Sequence, residues 1–378
     1  MTRIVAVFII ISTLCCAVAA TFNITSKNNV VVYYGQGPNQ KRLTTYCADP
    51  SIDVIILSFV HLFPAQANGF PGINFGNQCS GETYPGPGYG GMKDSSKDAL
   101  LKCPNIQQDL YTCRKSSTKK ILLSLGGGTP DYQVTGSQGT AFATQIWGMF
   151  GPQSPEWIKA GSPRPFDYYD PASKKTVGFA VDGFDLDIEH PSTDNSAGYI
   201  ALATKLRSLY KDSKSTFYLT GSPQCVVPDA NMANMLSAAQ FDMLFIQYYN
   251  TQQCSAARWV SENKNYQPGS SFDEAGFTFT TWVTWITQTK YSKGARVYIG
   301  LPGSSQAAAP GYSLSSSWTR NIASAFYCNP SFGEGNVEGG KNYFQNAKVS
   351  LESAGKDRRL PCGVSKRGLK RHVEMDAY

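Results

Sequence analysis

The stretch Val181-Asp182-Gly183-Phe184-Asp185-Leu186-Asp187-Ile188-Glu189-His190 decides the fold. Read as a β-strand, it alternates with period two, so Asp185, Asp187 and Glu189 share one face and Phe184, Leu186 and Ile188 the other. A row of three carboxylates on the inner face of an otherwise apolar strand is costly. Like charges two residues apart repel and burial disfavours ionisation, so at least one carboxyl is expected to have a raised pKa. Folding supplies no reason for such a row; acid catalysis does. A calcium loop is the poorer reading, because no Asp-x-Asp-x-Asp-Gly run with a Glu at its twelfth position is present.

Working outward, short apolar runs alternate with helical stretches, the pattern of βα units around a parallel sheet. Expected strands are Val30–Tyr34, Val54–Val60, Lys120–Gly126, Val181–Glu189, Phe217–Ser222, Met243–Tyr249 and Val297–Leu301. Helices are expected near 139–149, 195–212, 230–239, 272–289 and 315–326. Val54-Ile55-Ile56-Leu57 is a continuous apolar run, as befits a strand covered on both faces. The fold class is therefore α/β, closing as a (β/α)8 barrel. In such barrels chemistry sits at the C-terminal ends of strands. Glu189, Gly126-Gly127, Tyr249-Asn250 and Pro302 all fall there. Residues 66–100, rich in Gly, Pro, Ser and Asn, read as a long loop.

Residues 1–20 read as a secretory signal peptide, with Arg3 before an apolar core and Ala17-Val18-Ala19-Ala20 at the cleavage point. The expectation is an exported protein, extracellular or associated with a cell wall, with no membrane span. Eight cysteines remain beyond residue 20, an even number that implies disulfides. No pair is spaced C-x-x-C and the histidines are only His61, His190 and His372, so no metal site and no cofactor are expected. Asn23-Ile24-Thr25 is a glycosylation sequon. Of the net charge of +7, residues 355–378 contribute +4 and Arg3 +1, which leaves +2 for 21–354. A nucleic-acid partner would need a basic face through the fold, and none shows. Aromatic residues make up 12% of the chain, a composition suited to an uncharged polymer.

Asp182-Gly183-Phe184-Asp185-Leu186-Asp187-Ile188-Glu189 resembles the DGxDxDxE signature of the glycoside hydrolase family 18 chitinases, and His190-Pro191-Ser192 resembles their hevamine-like class III branch. The likeness covers most of the chain. Tyr33-Tyr34-Gly35-Gln36 is similar to the family's first strand, Leu57-Ser58-Phe59 to its second and Ser124-Leu125-Gly126-Gly127 to its third. Pro223-Gln224-Cys225, Gln247-Tyr248-Tyr249-Asn250 and Tyr298-Ile299-Gly300-Leu301-Pro302 continue it. The resemblance implies a monomer that hydrolyses chitin or chito-oligosaccharides with retention. Glu189 would be the acid and then the base, and Asp187 would hold the substrate's acetamido N–H, sharing a proton with Asp185 when turned inward. Tyr249 would donate to the acetamido carbonyl, and Tyr33, Phe59, Gly127, Gln247 and Asn250 would line the subsite. It also implies the disulfides Cys47–Cys113, Cys79–Cys103 and Cys225–Cys254.

The family's eighth strand ends in a Trp, and this chain has none after Trp318. Pro330-Ser331-Phe332-Gly333 begins as that strand does. Glu334 to Gly340 is then too glycine-rich and charged for a buried β-branched strand. The eighth strand is expected to be atypical or missing, with 21–335 the barrel and 336–378 a basic, disordered tail. Cys328 and Cys362 have no counterpart in the resemblance. Two alternatives accompany the chitinase reading: a chitin-binding lectin or inhibitor on the same scaffold, and a barrel inactive for want of its last strand.

Overall fold

Each apolar run expected from the sequence forms a strand of one sheet: β1 (Val31–Tyr34), β2 (Val54–Leu62), β3 (Lys120–Gly127), β4 (Gly183–Ile188), β5 (Tyr218–Gly221), β6 (Met243–Gln247) and β7 (Arg296–Gly303). The computed structural model describes residues 22–328 apart from Pro38 and Pro130, the backbone of 337–339, and single positions between 348 and 360. The expected signal peptide, Cys362 and most of 336–378 lie outside the described residues. Every strand pairs in parallel with the next in the chain. That is the winding of a (β/α)8 barrel.

An eighth strand, β8 (Val337–Gly339), pairs in parallel with Leu301–Gly303 of β7. The Gly-rich composition led to the expectation of an atypical or missing strand, and a short atypical one forms. Three residues suffice because a ladder needs backbone groups and not β-branched side chains. Among the described residues no ladder joins β8 back to β1, so the barrel is incompletely closed.

Nine helices are described: α1 (Leu43–Cys47), α2 (Pro104–Ser116), α3 (Gln138–Phe150), α4 (Pro155–Lys159), α5 (Ala197–Lys211), α6 (Ala233–Ala238), α7 (Ala256–Glu262), α8 (Phe279–Gln288) and α9 (Ser316–Phe326). Helix α2 was absent from the expected elements. Its start, Pro104 directly after Cys103, carries the signal of proline in a first helical turn. Also unforeseen is the hairpin Tyr168–Asp170 with Lys175–Val177.

Alternation sorts the strand residues into two cores. Val32, Tyr34, Ile55, Leu57, Leu123, Leu125, Phe184, Leu186 and Ile188 pack outward among the helices. Val31, Tyr33, Val54, Ile56, Leu122, Met243, Phe245 and Tyr298 fill the interior. The three disulfides implied by the resemblance are formed. Cys47–Cys113 ties α1 to α2 and closes a separation of 66 residues, a constraint worth about 4 kcal/mol on a chain-entropy estimate. Cys328 is also disulfide-bonded.

Where strand pairing stops, side chains hold the two edges together. Lys348 Nζ donates to Asp53 Oδ2 at 2.7 Å and to the Asn28 carbonyl at 2.6 Å. Lys27 Nζ donates to the Tyr327 carbonyl at 2.7 Å, and the Tyr327 hydroxyl to Asn28 Oδ1 at 3.1 Å. Leu351, Ala354 and Leu360 are buried in the outer core, within the segment expected as a tail.

Candidate active site

Register builds the floor of the site. Ser124, Asp185 and Thr220 are ladder neighbours on β3, β4 and β5, and all three point inward. Asp185 is fully buried, and hydroxyl groups surround it. Its Oδ1 accepts from Thr220 at 2.6 Å, and its Oδ2 from Ser124 at 2.7 Å, Tyr33 at 2.8 Å and Ser222 at 3.4 Å. Burial pushes this carboxyl above its ordinary value, and the hydroxyl donors pull it back.

One step up the strand, Asp187 is 4% exposed. Its carboxyl shares a hydrogen bond with Glu189 and feels Asp185 through charge. Burial first, then the charges of Glu189 and Asp185, push it well above the carboxylate range. Glu189 is raised too, chiefly by burial, while hydrogen bonds with Asp187 and Gln247 hold it back. Gln247, at the end of β6, ties the pair together. Its Nε2 donates to Asp187 Oδ1 at 3.0 Å, to the Ser222 carbonyl at 2.9 Å and, more weakly, to Glu189 Oε1 at 3.5 Å. Two adjacent carboxyls in a water-poor site cannot both ionise readily, so one proton is retained at a cleft wall.

The cleft opens at the C-terminal rim of the sheet. Asp187 and Glu189 line it with Tyr33, Phe59, Gln247, Tyr249 and Asn250, so seven of the expected site residues meet at one opening. Asp185 lies beneath this surface, enclosed by its hydroxyl neighbours. Gly127 lies behind it also. A Cβ there would meet the Phe59 ring at 3.1 Å, and Gly128 lines the cleft in its place. Gly126 adopts φ +113°, and a Cβ would fall 2.1 Å from the Asp187 carbonyl oxygen, so no other residue fits. Asn250, with φ +58°, accepts the Ala309 N–H at 2.8 Å and so braces the loop after β7 against the opening. Leu301, Pro302 and Ala307 form that wall. Away from the cleft, Tyr248 is fully buried and stacks on Phe277, while Trp282 is a core residue in edge contact with Trp285.

Asp182, the first acid of the strand motif, belongs to the opposite end. It pairs with Arg114 at 2.6 Å and accepts the Ile121 N–H at 2.8 Å, so its role is to pin β3 to β4. Ser124, Thr220 and Ser222 were not assigned roles from sequence. Their signal was present: small hydroxyl residues at inward positions of the strands flanking Asp185. Tyr132 gave none, since it follows Pro130 in a polar loop.

A profile described as Glycosyl hydrolases family 18 matches residues 29–349, a span that takes in β8 and Lys348. Endochitinase A of Aspergillus niger is 38% identical over 299 residues, which are 78% of this chain and 21% of that protein. The chain spans 21% to 35% of the length of the curated relatives it matches. Among solved structures, a chitinase from Ipomoea carnea superposes with a TM-score of 0.61 at 22% identity, over 86% of this chain and 99% of that one. The xylanase and alpha-amylase inhibitor protein of Scadoxus multiflorus also gives 0.61, at 21% identity, over 86% and 98%. Those two likenesses speak to the fold alone.

Proposed function

The chain belongs to glycosyl hydrolases family 18, and from that premise we propose that it is a chitinase of endochitinase type, cleaving β-1,4 linkages between N-acetylglucosamine units with retention of configuration. The observation that carries the reading is the pair of hydrogen-bonded carboxyls, Asp187 and Glu189, on one wall of the cleft with no carboxylate among the residues that face them. A retaining enzyme with a carboxylate nucleophile needs a second acid across the bond. Here the attack falls to the substrate's own acetamido oxygen.

Protonated Glu189 gives its hydrogen to the leaving glycosidic oxygen as the C1–O bond breaks. The acetamido carbonyl oxygen closes on C1, and Asp187 holds the acetamido N–H while positive charge spreads over the new ring. The Tyr249 hydroxyl donates to the same amide and aligns it. Glu189, now a carboxylate, takes a proton from water as that water opens the ring at C1, which restores the starting configuration. The name of the Aspergillus niger relative supports the substrate class. Export is part of the proposal, supported by the disulfides and by Asn23, which is exposed at a turn where its Oδ1 accepts the Thr25 N–H at 3.0 Å.

Incubation with a chitotetraose-type substrate tests the reading, with product anomers followed by NMR. The expected first product is the β-anomer. Binding without cleavage would favour the lectin or inhibitor reading, and an α-anomer formed first would overturn retention.

A further inference from the structure

Resting on that reading, we propose that Tyr132 is a positioning residue for the proton donor, its hydroxyl fixing the backbone that carries Asp187 and Glu189. Strands β3 and β4 stay paired up to Gly127 and Ile188, where the ladder stops. One residue further, the Glu189 N–H has no strand to meet, and a buried N–H needs a partner. Tyr132 reaches back from the loop after β3 and supplies it. Its hydroxyl oxygen accepts the Glu189 N–H at 3.0 Å and lies 3.0 Å from the Gly127 carbonyl oxygen and 3.1 Å from that of Asp187. A phenol has one hydrogen and two lone pairs, so it accepts from Glu189 while donating to one carbonyl at a time. One oxygen atom thus replaces the next step of the ladder.

The ring is held in place. Tyr132 is 1% exposed, with the Phe63 ring 4.9 Å away and the His190 ring 4.2 Å away. A Cβ on Gly126 would come within 3.0 Å of its hydroxyl, so glycine at this position keeps clear the space the hydroxyl occupies. Burial raises the phenol's pKa, which keeps its hydrogen in place. Tyr132 does not line the cleft, so it acts on substrate only through Asp187 and Glu189.

The test is Tyr132→Phe, which keeps the ring and removes the oxygen. Loss of about 10- to 100-fold in kcat is expected with KM within about twofold, since a misplaced catalytic group costs turnover and not uniform binding. The alkaline limb of the kcat profile is expected to move as Glu189 slackens against Asp187, whose hydrogen bond holds its pKa down. Amide exchange at Glu189, read without substrate, is expected to speed up in the variant. An unchanged kcat with unchanged Glu189 exchange overturns the proposal, as does a kcat loss with unmoved pH profile and exchange. Should the parent protein cleave no chito-oligosaccharide, the functional reading fails, yet the exchange comparison still decides the role of Tyr132. Should Tyr132→Phe not fold, difluorotyrosine at 132 weakens the oxygen as acceptor of the Glu189 N–H while strengthening its O–H as donor; unaltered Glu189 exchange there overturns the proposal.

Discussion

The two sides of the barrel are held by different means. From β2 through β3 to β4, long ladders lock strand to strand, six residue pairs joining β3 to β4 alone. From β7 through β8 to β1 the pairing dwindles to three residues and then stops, and Lys348, Lys27 and Tyr327 bridge the gap with side chains. The carboxyls of the site all stand on the laddered side. Backbone ladders fix a strand to within a fraction of an ångström, the tolerance that proton transfer requires. Side-chain bridges hold edges together without setting their register. A sequence can therefore diverge on the bridged side and leave the acid pair undisturbed.

Substitutions on each side can break that contrast. Glu189→Gln removes the proposed proton donor from the laddered side, and kcat is expected to fall about 10³-fold with a melting temperature at least equal to the parent's. Turnover that survives this change refutes the assignment of the acid. Leu186→Ala, on the same strand but facing the helices, is expected to cost about 3 kcal/mol in denaturant unfolding through the cavity it leaves. Because β4 carries the site, kcat is expected to drop with it. Lys348→Met, across the gap, is expected to cost about 1 kcal/mol by loss of its pairing with Asp53, with kcat within about twofold. A kcat loss in Lys348→Met comparable to that in Leu186→Ala would erase the distinction between the sides.

The smallest effect is on pH dependence. Asp187 has a folded-state pKa raised above its unfolded value, so its contribution to stability is complete below about pH 4 and is lost as pH rises through the folded value. Asp187→Asn removes that loss. The variant is expected to match the parent near pH 3 and to exceed it by about 1 kcal/mol at pH 8, seen as a Tm difference that grows with pH. Equal melting curves at pH 8 would mean that the aspartate is not strained by its neighbours.

The laddered side was also the legible one. Strict alternation in Phe184-Asp185-Leu186-Asp187-Ile188-Glu189 declares both the strand and its two faces, and apolar runs such as Ile121–Leu125 declare the neighbours. The hydroxyl cage was half legible: Ser124 and Thr220 stand at inward positions, but only the register shows that they flank Asp185. Helix α2 hid because its sequence is mostly polar, leaving Ile106, Leu110 and Cys113 as a thin buried stripe. Strand β8 hid for the opposite reason, since a three-residue backbone pairing leaves no pattern of side chains to read. Tyr132 could not be found by period at all. Its role depends on where a loop returns, which is a property of the assembled barrel.

The hydroxyls gathered at Asp185 set a rule for any inward swing of Asp187. Tyr33, Ser124 and Thr220 each have a single hydrogen to give, and each already directs it at Asp185. An aspartate turning towards them would meet lone pairs and no spare donor. Ser222 apart, it would settle there with a hydrogen of its own, so the direction in which Asp187 faces is coupled to whether it is ionised.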